Sequence, residues 1–183
     1  AVARLTAACA SPDTTRIEAP DVDAIFLLAP NKTSRIEAID VGQAACVAFW
    51  DRGRCVGYFD VGAPIFFNRA SFPRHLDHTP CNKGFIILSH WDFDHYALAY
   101  DHPILRTLKW YAPDQPVGPR TAKFQKTLGS NLNFISGSID LGGFKLKRCS
   151  GPLSDRNNSG YALRIARESQ AVLLTGDADY HAI

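Results

Sequence analysis

Residues 84–95 read Gly84-Phe85-Ile86-Ile87-Leu88-Ser89-His90-Trp91-Asp92-Phe93-Asp94-His95. The apolar half, Gly84–Ser89, predicts a short strand buried on both faces. The polar half places two histidines and two aspartates at positions 90, 92, 94 and 95. Imidazole and carboxylate are the ligands that borderline and hard divalent cations favour. A loop that leaves a buried strand has a fixed origin, so its side chains can converge on one point. His90, Asp92 and Asp94 alternate with Trp91 and Phe93, so the aromatics can pack while the polar groups turn inward. Gathered and buried without a cation, those polar groups would be costly. A plain polar loop with Asp94 capping a helix over Tyr96–Tyr100 is the competing reading. The density of ligands directly after an apolar strand favours metal.

Outward from this run, strands are expected at Ala24–Ala29, Arg35–Val41, Ala44–Trp50 and Val56–Val61, with Asp51-Arg52-Gly53-Arg54 as a hairpin turn. Residues 62–83, with Pro64, Pro73 and Pro80, read as loop. A short helix is expected over Tyr96–Asp101 and a strand over Thr107–Ala112. Pro119–Leu128 predicts a helix with proline at its first position and Gly129 as its stop. Phe144–Arg148, Tyr161–Ala166 and Ala171–Thr175 read as further strands. Strands, then a helix, then strands predict an α/β (α+β) fold with a largely antiparallel or mixed sheet. Residues 1–22 read as a tail or linker and 23–183 as one domain.

The 183 residues are 46% hydrophobic and 21% charged, an ordinary globular composition. No apolar run reaches the roughly 20 residues a bilayer span needs. The net charge of +2 neither demands nor excludes an anionic partner. No phosphate-loop motif is present. Five cysteines include no CxxC pair; Cys46 and Cys55 lie in strand-like segments and read as buried thiols, which favours a cytoplasmic, reducing compartment over secretion. Leu5–Ala10 resembles the small-residue end of a secretion signal but lacks the charged and apolar regions before it. The absence of methionine and the stop at Ile183, just after a strand and Gly-Asp, read as a fragment.

The run at 90–95 resembles the metallo-β-lactamase-fold signature His-x-His-x-Asp-His, with Asp92 in place of the second His. That variant looks like the hydrolase domain of ComEC-type competence proteins. Three other segments agree in order and spacing. Ile39–Ala44 is similar to an Asp-Val-Gly-Gln-Gly strand, and Phe59-Asp60-Val61-Gly62 to the Asp-x-Gly that ends the next one. Asn157-Asn158-Ser159, followed by Tyr161-Ala162-Leu163 and then Leu173-Leu174-Thr175-Gly176-Asp177, is similar to the late Asn-x-Ser strand and Thr-Gly-Asp. The resemblance covers roughly residues 35–180.

It implies a four-layer αββα metallo-β-lactamase-like sandwich, truncated at its C-terminus. It also implies two divalent ions, Zn²⁺ or Mn²⁺. His90 and Asp92 would hold one, Asp94 and His95 the other, and Asp177 would bridge them. By itself Asp177 reads as a strand-end turn residue. Asp60 would bond the metal loop and orient a ligand, although a strand-end cap is an equal reading. The family's histidine in the loop before the late strand is missing; Asn157 and Asn158 are nearest to its place. The late His-His-Gly would lie beyond Ile183, and His181 is too close to Asp177 to replace it. Asp92 makes the first site harder and moves preference toward Mn²⁺ or Mg²⁺ relative to Zn²⁺.

The implied activity is hydrolysis of a phosphodiester, nuclease-like, by a metal-bridged hydroxide, with Asp94 orienting the nucleophile and moving a proton. DNA is a possible partner in that reading. Hydrolysis of a small ester, thioester or lactam is the alternative enzyme. A degenerate module that holds metal and does no chemistry is the alternative of another class. Arg120, Lys123 and Lys126 recur along one helix face, with Lys145, Lys147 and Arg148 nearby. Such a face could track a phosphate backbone, but a solvated helix surface is the stronger reading. Trp91 and Phe93 read as core before base-stacking residues, and His75, His78 and His102 as loop residues.

Overall fold

A computed structural model of the chain describes residues 16–17, 33–76, 78–141 and 143–183. The expected strand Ala24–Ala29 lies outside them. The strands are β1 (Arg16–Ile17), β2 (Arg35–Ala38), β3 (Cys46–Asp51), β4 (Arg54–Val61), β5 (Phe85–Ile87), β6 (Lys109–Pro113), β7 (Leu132–Ile135), β8 (Ile139–Asp140), β9 (Phe144–Arg148), β10 (Tyr161–Arg167) and β11 (Gln170–Leu174). Among the described residues two α-helices accompany them, α1 (Leu98–Asp101) and α2 (Pro119–Leu128).

The strands form two sheets, ordered β1-β7-β6-β5-β4-β3-β2 and β11-β10-β9-β8. In the first, β2, β3 and β4 are antiparallel, while β4, β5, β6, β7 and β1 run parallel. The second sheet is antiparallel throughout. The β3–β4 hairpin turns through Arg52 and Gly53 at φ 46° and 79°. Two left-handed central residues are what a type I′ turn requires. The expected 119–128 helix and 144–148 strand have those same bounds. Two residues of the 1–22 stretch add the edge strand β1 beside β7.

Alternation along β5 sets the layers. Ile86 and Leu88 enter a core with Tyr58, Trp110, Leu98, Phe124 and Leu128, under the helices. Phe85 and Ile87 enter a second core with Phe59, Leu146, Tyr161 and Leu163, between the sheets. Among the described residues the order is therefore helices, seven-stranded sheet, four-stranded sheet. Both faces of β5 are covered, which is why its sequence is continuously apolar. Each such side chain contributes roughly 1.5–3 kcal/mol when fully buried. On the far face of the second sheet, Ala182 packs with Cys149 and Ala162, from a 3-10 turn at Tyr180–Ala182. Among the described residues no helix is long and apolar enough to cross a membrane.

One reading from the cysteines is corrected. Cys55 is no free thiol; it is bonded to Cys81, with Cα atoms 5.7 Å apart. The parallel pairing explains the partner. Gly57 lies opposite Phe85, so the chain entering β5 returns beside the start of β4 and brings Cys81 to Cys55. Disulfides persist in oxidising surroundings, which removes the argument from cysteine content for a reducing compartment. Cys46 and Cys149 are free and buried.

Candidate metal centre

The 90–95 loop leaves the C-terminal end of β5, the edge where parallel α/β sheets place ligands. Its position is fixed from β4. Cys46 pairs with Val61 but Val47 with Phe59, so Asp60 is the extra residue of a bulge. Its φ is 58°, rare for a non-glycine residue. The bulge re-aims the carboxylate into the protein, where Asp60 is fully buried. There Asp60 Oδ1 accepts the Ser89 N–H at 2.7 Å, and Oδ2 accepts the Ser89 hydroxyl at 2.7 Å. Oδ2 also lies 2.8 Å from His95 Nδ1. One side chain thus grips both ends of the metal-type run.

His90, His95 and Asp177 converge, each offering a ligand atom within 4.8 Å of the others. His95 Nε2 faces Asp177 Oδ2 at 3.3 Å. His90 Nδ1 lies 3.0 Å from the Ser89 hydroxyl. His90 Nε2 is buried and has no hydrogen-bond partner. It sits 3.5 Å from Asp92 Oδ2, without hydrogen-bond geometry. A buried imidazole nitrogen with no proton partner, beside a second imidazole and a carboxylate, fits a divalent cation. Two close approaches hold the walls. A Cβ at Gly62 would collide with the Asp94 carbonyl, and one at Gly176, where φ is 56°, with the Ser89 side chain.

The other expected residues are placed differently. The Asp92 Oδ1 atom accepts Arg156 Nε at 2.6 Å and lies 2.5 Å from an Arg156 terminal nitrogen. Asp94 is half-buried in the 3-10 turn Phe93–His95 and lies outside the converging trio. Asn158 is turned to Asp155 and Asp179, at 2.9 and 3.0 Å. Among the described residues, neither Asn157 nor Asn158 is hydrogen-bonded to the trio. His78 bonds the Tyr58 hydroxyl at 2.7 Å, and Trp91 is core, its indole N–H donating to the Pro113 carbonyl at 2.8 Å.

Several contributors were not singled out in the sequence. Ser89 links Asp60 to both histidines. Arg156 meets Asp92. Gln115, buried after β6, accepts the Trp91 N–H at 3.2 Å and donates to the Arg156 carbonyl and the Ser159 hydroxyl, both at 2.8 Å. It staples the metal-type loop to the 156–159 loop. Ser89 was signalled only by adjacency to His90, and the other two by nothing local.

The charges are strongly coupled. Burial works against a charged His95, but the Asp60 charge and the bonds to Asp177 and Asp60 outweigh it and raise its pKa to about 10. A cation binding at Nε2 therefore displaces a proton. The neighbouring His90 ring, with Arg156, holds Asp92 down at about 2 despite partial burial. His95 likewise lowers Asp177. Both carboxylates are thus anionic at neutral pH.

Beside the loop lies a cleft of about 510 Å³ lined by Pro64, Arg69, Phe93, Tyr100, Asp101 and Arg120. The Arg120 guanidinium lies over the Phe93 ring, 4.1 Å from its centre. The predicted basic helix face thus meets the metal-type loop at Arg120.

No protein-family model matches the sequence, and no curated protein matches it. Solved structures do. CmlA, a diiron β-hydroxylase from Streptomyces venezuelae, is 19% identical with a TM-score of 0.43, over 79% of this chain and 30% of that one. A possible metal-dependent hydrolase from Veillonella parvula is 12% identical with a TM-score of 0.48, over 81% and 64%. MEM-A1, a subclass B3 metallo-β-lactamase from a soil metagenome library, is 14% identical with a TM-score of 0.41, over 79% and 62%. The chain spans between about a third and two thirds of the length of these proteins.

Proposed function

We propose that this chain is a metal-dependent hydrolase of the metallo-β-lactamase type, ComEC-like branch, which cleaves phosphodiesters such as DNA. The convergence of His90, His95 and Asp177, with His90 Nε2 buried and without a hydrogen bond, carries the reading. The order of the Asp60, His90–His95 and Asp177 motifs supports the family. Arg69 and Arg120 in the adjoining cleft support an anionic substrate.

In this reading His90 and Asp92 would hold one divalent ion and Asp94 and His95 a second, with Asp177 the residue that would serve both. Bound Zn²⁺ or Mn²⁺ would polarise a substrate oxygen and make water more acidic. The residues do the rest. Asp60 fixes the His95 ring through Nδ1, so that Nε2 faces the centre. Asp94 orients the water that attacks phosphorus and accepts its proton; the P–O bond to the leaving group breaks and that oxygen is protonated. Arg120 and Arg69 bind the substrate's phosphate oxygens.

The test incubates the protein with Mn²⁺ or Zn²⁺, single-stranded DNA and bis-p-nitrophenyl phosphate. Metal-dependent cleavage is expected, stopped by EDTA and by His95→Ala, and reduced about 100-fold or more by Asp94→Ala. Metal-loaded protein that hydrolyses neither substrate, or an Asp94→Ala variant as active as the parent, overturns the reading.

A further inference from the structure

We infer that the Asp92–Arg156 ion pair keeps half of the centre shut, so that a second cation binds only as Arg156 lets Asp92 go. This rests on the metal-centre reading above. Arg156 places two nitrogens on Asp92 Oδ1, at 2.6 and 2.5 Å. The other oxygen, Oδ2, is 3.5 Å from His90 Nε2. Asp92 therefore ties a full positive charge to the nitrogen that a cation would take. A divalent ion entering between His90 and Asp92 meets that charge and must compete for a carboxylate that already has a forked donor.

The pair is built to open by its side chain alone. The Arg156 carbonyl is held by Gln115, which also holds the Trp91 N–H, so the two backbones stay in register. The Arg156 side chain is 43% exposed, so its guanidinium can turn to solvent. His95 and Asp177, which face each other at 3.3 Å, have no hydrogen bond or ion pair with Arg156 among the described residues and are not obstructed in this way. The centre thus has one open position and one latched position, and Arg156 is the positioning residue that separates them.

Mn²⁺ binding to the intact chain, read as free Mn²⁺ by electron paramagnetic resonance, tests this without any substrate. The parent should take one equivalent tightly and a second more weakly. Arg156→Ala should tighten the second by about tenfold or more, the scale of a lost charged hydrogen bond. Arg156→Lys, which keeps the charge but not the fork, should fall between them. Asp92→Asn should lose the second ion with Arg156 present or replaced. Equal affinity for two ions in the parent, or no change in Arg156→Ala, overturns the latch and leaves the metal centre standing. Absence of Mn²⁺ binding in parent and variants alike overturns both.

Discussion

Asp60 shows how much one residue can do with no charge partner from its own neighbourhood. Its bulge geometry spends backbone strain to reach Ser89, 29 residues away, and His95, 35 away. Asp60→Asn keeps the shape but removes the charge that His95 leans on. Mn²⁺ or Zn²⁺ affinity should fall about 10- to 100-fold, measured by titration on protein whose circular dichroism is unchanged. If affinity is unaltered, Asp60 is only a structural clamp. At this scale the sequence was partly legible. His90 and His95 stood out because ligand chemistry is written in residue type, whereas Asp177 was singled out only by its place in the order of motifs. Arg156 did not, because its partner Asp92 is 64 positions away and a lone surface arginine carries no signal.

Among the elements, legibility followed length and periodicity. Helix α2 announced itself through Pro119 and Gly129, and β5 through its uninterrupted apolar run. Strand β7, Leu132–Ile135, has only four residues, one of them Asn, and is stabilised by β6 beside it and the Tyr161 hydroxyl on the Ile135 carbonyl. Nothing local predicts that. The Cys55–Cys81 bridge was hidden for the same reason: it follows from β4 and β5 lying parallel. It closes a loop of 26 residues that ends where β5 begins. Replacing both cysteines by Ala, or reducing the bond, should lower unfolding free energy by roughly 2–4 kcal/mol in urea titration. A loss below about 0.5 kcal/mol would mean that the loop is already ordered in the unfolded chain.

Across the molecule, the composition gave class and size, but the two-core layering needed the alternation of Phe85, Ile86, Ile87 and Leu88 to be read against partners from β6, β9, β10 and both helices. The net charge of +2 hides a local excess where Arg69 and Arg120 share a cleft next to the metal-type loop. Under the phosphodiesterase reading, Arg120→Ala should raise KM for single-stranded DNA about tenfold with little change in kcat. Raising salt from low to physiological ionic strength should raise the parent's KM more than the variant's. Identical salt dependence in both would place the substrate elsewhere.

The metal-type loop is seated through its main chain as well as its side chains: the Ser89 N–H on Asp60, the Trp91 N–H on Gln115, and the Asp94 carbonyl against the bare face of Gly62. The Ser89 hydroxyl, the Trp91 indole and the His95 ring add side-chain seats on Asp60 and the Pro113 carbonyl. Tolerance to exchange is therefore uneven along the loop. Position 94, seated by its carbonyl, can change its side chain at less cost to folding than positions 89, 91 and 95, whereas any side chain at Gly62 would collide with that carbonyl.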